Sequence, residues 1–168
     1  MHWIVPTASF LEVLLLLYVA MSDIATRLIR NEICLALALV GIVSQFASPI
    51  QIAESLIAAT VLLLLLLVLY QRGGVGGGDV KLIVALAIGL PLMGVIHLLI
   101  ITTLAGGVLA LAHLVMRRLP YPNRPPAGSS LMRRVYAVER WRNLRHAPLP
   151  YGAALACGGV WTVLNYGL

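Results

Sequence analysis

Acidic side chains are scarce in this sequence, with six Asp and Glu in 168 residues against twelve Lys and Arg. Charged residues make up 11% of the chain and hydrophobic ones 61%, a balance that excludes an ordinary soluble domain of this length. Cysteine is nearly absent. Cys34 and Cys157 sit in apolar stretches without Cys-x-x-Cys or Cys–His spacing, which excludes a zinc site and a disulfide framework. No Gly-x-Ser-x-Gly occurs, so a serine nucleophile of that type is excluded. The glycine run Gly73 to Gly78 lacks the Gly-Lys-Ser/Thr ending of a phosphate loop, and His97 and His113 lack a second ligand pair, so neither a nucleotide nor a metal is expected. No basic residue precedes the first apolar stretch, which is expected to be a retained span and not a cleaved leader.

What is abundant is apolar sequence in long runs. Six candidate spans follow: about Ile4–Met21, Ile33–Ala47, Ile50–Tyr70, Asp79–Leu90, a fifth ending near Met116, and Leu149–Tyr166. Ser44, Gln45, Ser48 and Pro49 mark a turn between the second and third, and Gly89, Pro91 and Gly94 a reversal between the fourth and fifth. The fourth is only ~18 Å long at helical rise, so its N-terminus is expected below the surface of a ~30 Å hydrocarbon core. The predicted fold is all-α: a polytopic membrane helix bundle of about six transmembrane helices, forming one membrane-embedded domain over residues 1–168. A basic loop, residues 117–148, separates the fifth and sixth spans.

The net charge of +6 reads here as orientation, and no nucleic-acid partner is expected. Arg27 and Arg30 follow the first span, Arg72 and Lys81 flank the glycine loop, and the other arginines lie between Arg117 and Arg145. With six spans all three clusters fall on one face, which the positive-inside rule makes cytoplasmic, leaving both termini outside. Within the loop, Leu131, Val135, Val138 and Trp141 recur at helical spacing with Arg133, Arg134, Arg140 and Arg142 between them. That pattern predicts a serine-capped interfacial amphipathic helix whose partner is a bilayer with anionic headgroups.

A carboxylate near hydrocarbon is costly and calls for a reason. Asp23 ends the first span and Asp79 opens the fourth, on the same predicted face. Two carboxylates that meet there cannot both ionise easily, so one keeps a proton while the other activates water against a carbonyl. Helix ends are expected to favour Asp79 as the anion and Asp23 as the acid. Glu12, three turns from Asp23, is expected to be structural, to line a water path, or to pair with a polar neighbour such as His97. A reading from another class is a small transporter or channel component that uses the aspartates as ion or proton relays.

Gly76-Gly77-Gly78-Asp79-Val80-Lys81 resembles the Gly-x-Gly-Asp motif of intramembrane aspartyl proteases, specifically the type IV prepilin peptidases. Asp23-Ile24-Ala25-Thr26-Arg27-Leu28-Ile29-Arg30-Asn31 is similar to that family's first-aspartate motif, with Arg30 where many members have proline. Pro150-Tyr151-Gly152-Ala153 provides a third match, in the family's order. The resemblance implies an endopeptidase of the bacterial inner membrane that removes the short basic leader from a prepilin or pseudopilin, without a cofactor. It implies that Asp23 and Asp79 are catalytic, that Gly76, Gly77 and Gly78 shape the substrate groove, and that Arg27, Asn31, Lys81, Pro150, Tyr151 and Gly152 support the site. The long form's cysteine-bearing N-terminal segment is not seen, so the chain resembles the short form of tight-adherence or Flp pilus systems, for which N-methylation is not implied.

Overall fold

The computed structural model describes residues 3–45, 49–118, 130–144 and 149–166. Seven α-helices and no strand occur among these residues: α1 (Ile4–Thr26), α2 (Asn31–Ser44), α3 (Pro49–Gln71), α4 (Gly77–Ile88), α5 (Leu92–Arg118), α6 (Leu131–Leu144) and α7 (Tyr151–Tyr166). Three of them contain stretches long and apolar enough to cross a bilayer: Val5–Thr26, Ile50–Gln71 and Leu92–Arg118. Ser48 and the Pro-rich stretch before α6 lie outside the described residues.

By its contacts the chain divides into two compact units, Met1–Ala105 with Pro150–Leu168, and Gly106–Leu149. In the first unit the sequence pattern decides what each helix buries. On α1 the buried residues Ala8, Glu12, Leu16, Val19 and Asp23 recur at three- and four-residue steps, so they form one stripe, directed at α2 and α7. Ser55, Ala59, Leu62 and Leu66 form the matching stripe on α3, against α4, while Val61, Leu64, Leu65 and Val68 are exposed as only a lipid solvent tolerates. Buried positions surround α4 on all sides: Val80, Leu82, Ile83, Ala85, Leu86 and Ala87 lie between α2, α3 and α7. Small residues let α7 approach closely, for a Cβ at Gly159 would stand 3.0 Å from a Leu16 methyl.

The turns follow from local chemistry. α3 ends in a Schellman motif: Gly73 has φ +72°, the Gly74 N–H reaches the Leu69 carbonyl at 2.9 Å, and the Gly73 N–H reaches Tyr70 at 2.9 Å. α4 stops at Gly89, and α5 begins after Pro91, whose carbonyl accepts the Val95 N–H; Gly94 falls inside α5 and not in the reversal. Arg30, the N-cap of α2, has φ −74°, a value that proline also adopts, so its presence in the proline position leaves this turn unchanged.

Gly41 of α2 and Gly89 press together so closely that a Cβ on Gly41 would lie 2.6 Å from the Gly89 Cα. Glu12 sits against this crossing, its Oε1 3.6 Å from the same Cβ position, and not beside His97. His97 instead has the Tyr166 hydroxyl 2.8 Å from its Nδ1 and the Trp161 ring beside it. Backbone cannot give way as a side chain can, so Gly41→Ala is expected to cost about 1–3 kcal/mol, read as a lowered melting temperature in detergent. Gly107→Ala, where a Cβ meets nothing within 4 Å, should be neutral or stabilising in the same assay.

In the second unit, the last turns of α5 and the helix α6 are joined by His113, whose Nε2 lies 3.6 Å from Glu139 Oε2. Arg142 Nη1 donates to Glu139 Oε1 at 3.1 Å, and both His113 and Glu139 are buried. The Ser130 carbonyl accepts the Arg134 N–H, which starts α6 where the serine cap was expected.

Candidate active site

α1 continues one turn past the point where its hydropathy fades, so Asp23 lies inside the helix and on its buried stripe. The helix then ends at Arg27, whose φ of 59° places it in the left-handed region and whose N–H bonds the Asp23 carbonyl at 3.0 Å. A non-glycine residue there costs roughly 1–2 kcal/mol, a strain that concentrates at functional sites. The sharp exit turns the chain into the short connector through Ile29 to Asn31.

Asp79 is the third residue of α4, after the N-cap Gly76. From that position a carboxylate can reach back to the N-cap N–H, and Asp79 receives this bond from Gly76. Glycine leaves the carboxylate where it is: a Cβ at Gly76 would stand 2.9 Å from Asp79 Oδ2 and make that oxygen shift. Gly77 and Gly78 are closely faced as well, by the Tyr70 ring and the Ile29 side chain, each 3.3 Å from where a Cβ would be. The glycine run is thus a helix stop, a helix start and a set of close contacts.

The third motif meets the first. Asp23 Oδ2 accepts the Ala153 N–H at 3.2 Å, an N–H of the first turn of α7 that also points at the Pro150 carbonyl. A Cβ on Gly152 would come within 2.9 Å of the Asp23 Cγ and Oδ2, so glycine alone admits the carboxylate. Although Asp23 belongs to the C-terminal turn of α1, its carboxylate is therefore seated at a helix N-terminus, as that of Asp79 is. Helix ends favour the anion at both, and the expected division into Asp79 as anion and Asp23 as acid loses its basis.

The two carboxylates are close enough that Asp79 feels the charge of Asp23. Tyr151 is near enough to feel that of Asp79, and its phenol has the Thr103 hydroxyl as a hydrogen-bonding neighbour. Lys81 Nζ donates to Asn31 Oδ1 at 3.0 Å, tying the first turn of α4 to that of α2. Arg27 is tied to Asp23 through its backbone N–H, and its Nε and Nη1 are buried. The structure thus brings Asp23, Asp79, Gly76, Pro150, Tyr151 and Gly152 to one end of the unit. Ile29 and Ala153, which lie in the quoted motifs but were assigned no role, join them, and so do Tyr70 and Thr103, for which the sequence carries no signal.

The model of the type IV leader peptidase family matches residues 10–111, more than half of the chain and inclusive of both aspartates. The chain belongs to the type IV leader peptidase family. No curated protein and no solved structure matches it. As a member of that family it is a protease, and with its three long apolar helices it is an integral membrane protein. The matched stretch stops short of Tyr151 and Gly152, yet in this leader peptidase Gly152 packs against Asp23 and Tyr151 lies near enough to Asp79 to feel its charge. The Lys81–Asn31 bond joins the neighbourhoods of the two aspartate motifs. In a double-mutant cycle with Lys81→Met and Asn31→Ala, a coupling of about 0.5–1.5 kcal/mol in thermal stability is expected.

Proposed function

We propose that this leader peptidase cuts prepilins with Asp23 and Asp79 acting as an aspartyl dyad at the cytoplasmic face of the bacterial inner membrane. The observation that carries the reading is the convergence of two carboxylates from separate helices, each accepting a backbone N–H at the start of a helix and each within the other's field. Like charges so placed share one proton, and the dyad titrates as a unit. The ionised member takes a proton from water as its oxygen attacks the scissile carbonyl carbon, and the protonated member gives its proton to the carbonyl oxygen. Transfer of a proton to the amide nitrogen then lets the C–N bond break, releasing the leader as a carboxylic acid and the pilin with a free amine.

On this reading six helices, α1 to α5 and α7, cross or enter the bilayer, with the basic clusters inside and both termini outside. The short α4 keeps its N-terminus, and with it Asp79, below the membrane surface where water is limited. Gly76, Gly77 and Gly78 leave main chain accessible to an extended substrate segment between leader and pilin helix. Arg27, Asn31, Lys81, Pro150, Tyr151 and Gly152 hold the two carboxylates and their helix ends in place. The substrate is a pilin of the tight-adherence or Flp type.

The test is co-expression of a Flp-type prepilin with the wild type, Asp23→Asn and Asp79→Asn, reading the shortening of the prepilin by its leader. Cleavage by either variant at the wild-type rate removes the dyad.

A further inference from the structure

We propose that α6 lies in the cytoplasmic membrane interface as a binding surface for anionic lipid, its arginines on the headgroup phosphates and its exposed apolar stripe on the acyl chains. Leu131, Val135, Val138 and Trp141 are 79%, 48%, 46% and 48% exposed, large side chains that water would penalise. Arg134 is exposed on the same side, and of the four arginines that α6 carries in sequence Arg142 is held by the single Glu139. An apolar stripe under a cationic rim is complementary to a bilayer surface that is apolar below and anionic above.

The buried contact to α5 fixes the depth. His113 faces Glu139 from four residues before Arg117, or ~6 Å along the helix axis. Arg117 and Arg118 close the longest apolar helix and mark where headgroups begin. α6 is thereby tethered within about 5–10 Å of that level, the depth at which interfacial helices rest. A helix held in bulk water would need no such apolar face.

The inference rests on the cytoplasmic placement of Arg117 and Arg118 in the proposed topology, but its readout is lipid contact and not cleavage, so the two readings fail separately. In the full-length protein, Trp3→Phe with Trp161→Phe leaves Trp141 as the one tryptophan. Reconstituted in vesicles of zwitterionic lipid with or without phosphatidylglycerol, its fluorescence is quenched by lipids brominated along the acyl chain. Expected is several-fold stronger quenching by shallow than by deep bromines, greater with the anionic lipid, and reduced by Arg133→Glu with Arg134→Glu. A second variant, Val135→Ser with Val138→Ser, should lower the quenching while the charge is intact. Quenching by aqueous acrylamide in place of bromolipid, equal quenching in both lipid mixtures, or a response only on adding a prepilin would overturn the proposal.

Discussion

Asp23→Asn and Asp79→Asn are each expected to lower leader cleavage by at least about 10²–10⁴-fold, the range for losing a general acid or base, with melting in detergent unchanged. The second half of that statement follows from geometry. Asn keeps an acceptor oxygen where Asp23 accepts the Ala153 N–H and where Asp79 accepts the Gly76 N–H, so both helix starts stay satisfied. Removing one charge also relieves the repulsion between neighbours. What Asn cannot do is trade a proton with water. Cleavage measured on purified protein in proteoliposomes, alongside a thermal melt, separates the loss of chemistry from the loss of fold. A variant that loses stability in step with activity would instead mark its aspartate as structural.

Much of the fold was legible because membrane helices announce themselves. The apolar runs around Leu62 to Leu67 and the punctuation at Gly73, Gly89 and Pro91 placed helix ends close to where they are found. The inward direction of Asp23 was also present in the spacing, since it shares a stripe with Leu16 and Val19. Contacts between distant segments left no such trace. Nothing in hydropathy says that the first turn of α7 should donate to Asp23, and proximity in sequence pointed instead to the C-terminal end of α1. Hence the helix-end argument for distinguishing the two aspartates failed: a side chain responds to the backbone that its tip meets, wherever its own Cα lies.

Glu12 shows the same limit from the other side. Its sequence neighbours are apolar, and His97 offered a plausible polar partner, yet its carboxylate is seated against the Gly41–Gly89 crossing. Two glycines far apart in sequence make room for it by removing side chains from one spot. Gln45 and Ser55, bonded at 3.2 Å, supply a further buried polar contact in this unit. A pattern based on what residues contribute has no easy way to register space made by what they omit.

That principle supplies the second large effect. Gly152→Ala is expected to reduce cleavage by about 10²-fold, the penalty for displacing a reacting group by roughly 1 Å, although alanine is the better helix former. Its Cβ would stand 2.9 Å from Asp23 Cγ and Oδ2 and 3.0 Å from Asp23 Cβ, all closer than carbon contacts normally allow. Asp23 must move, weakening its bond to the Ala153 N–H and changing its distance from Asp79. Gly158, two turns further along α7, provides the contrast. A Cβ there would strike the Thr102 hydroxyl and come 3.1 Å from the Thr102 backbone nitrogen, a clash with α5 and not with a carboxylate. Gly158→Ala should therefore lower the melting temperature, whereas Gly152→Ala should depress kcat in protein that melts near the wild-type value. Gly76→Ala, pressing on Asp79 Oδ2 at 2.9 Å, should side with Gly152→Ala. If all three variants instead lost stability and activity together, the glycines would be packing residues only, and the seating of the carboxylates would owe nothing to them.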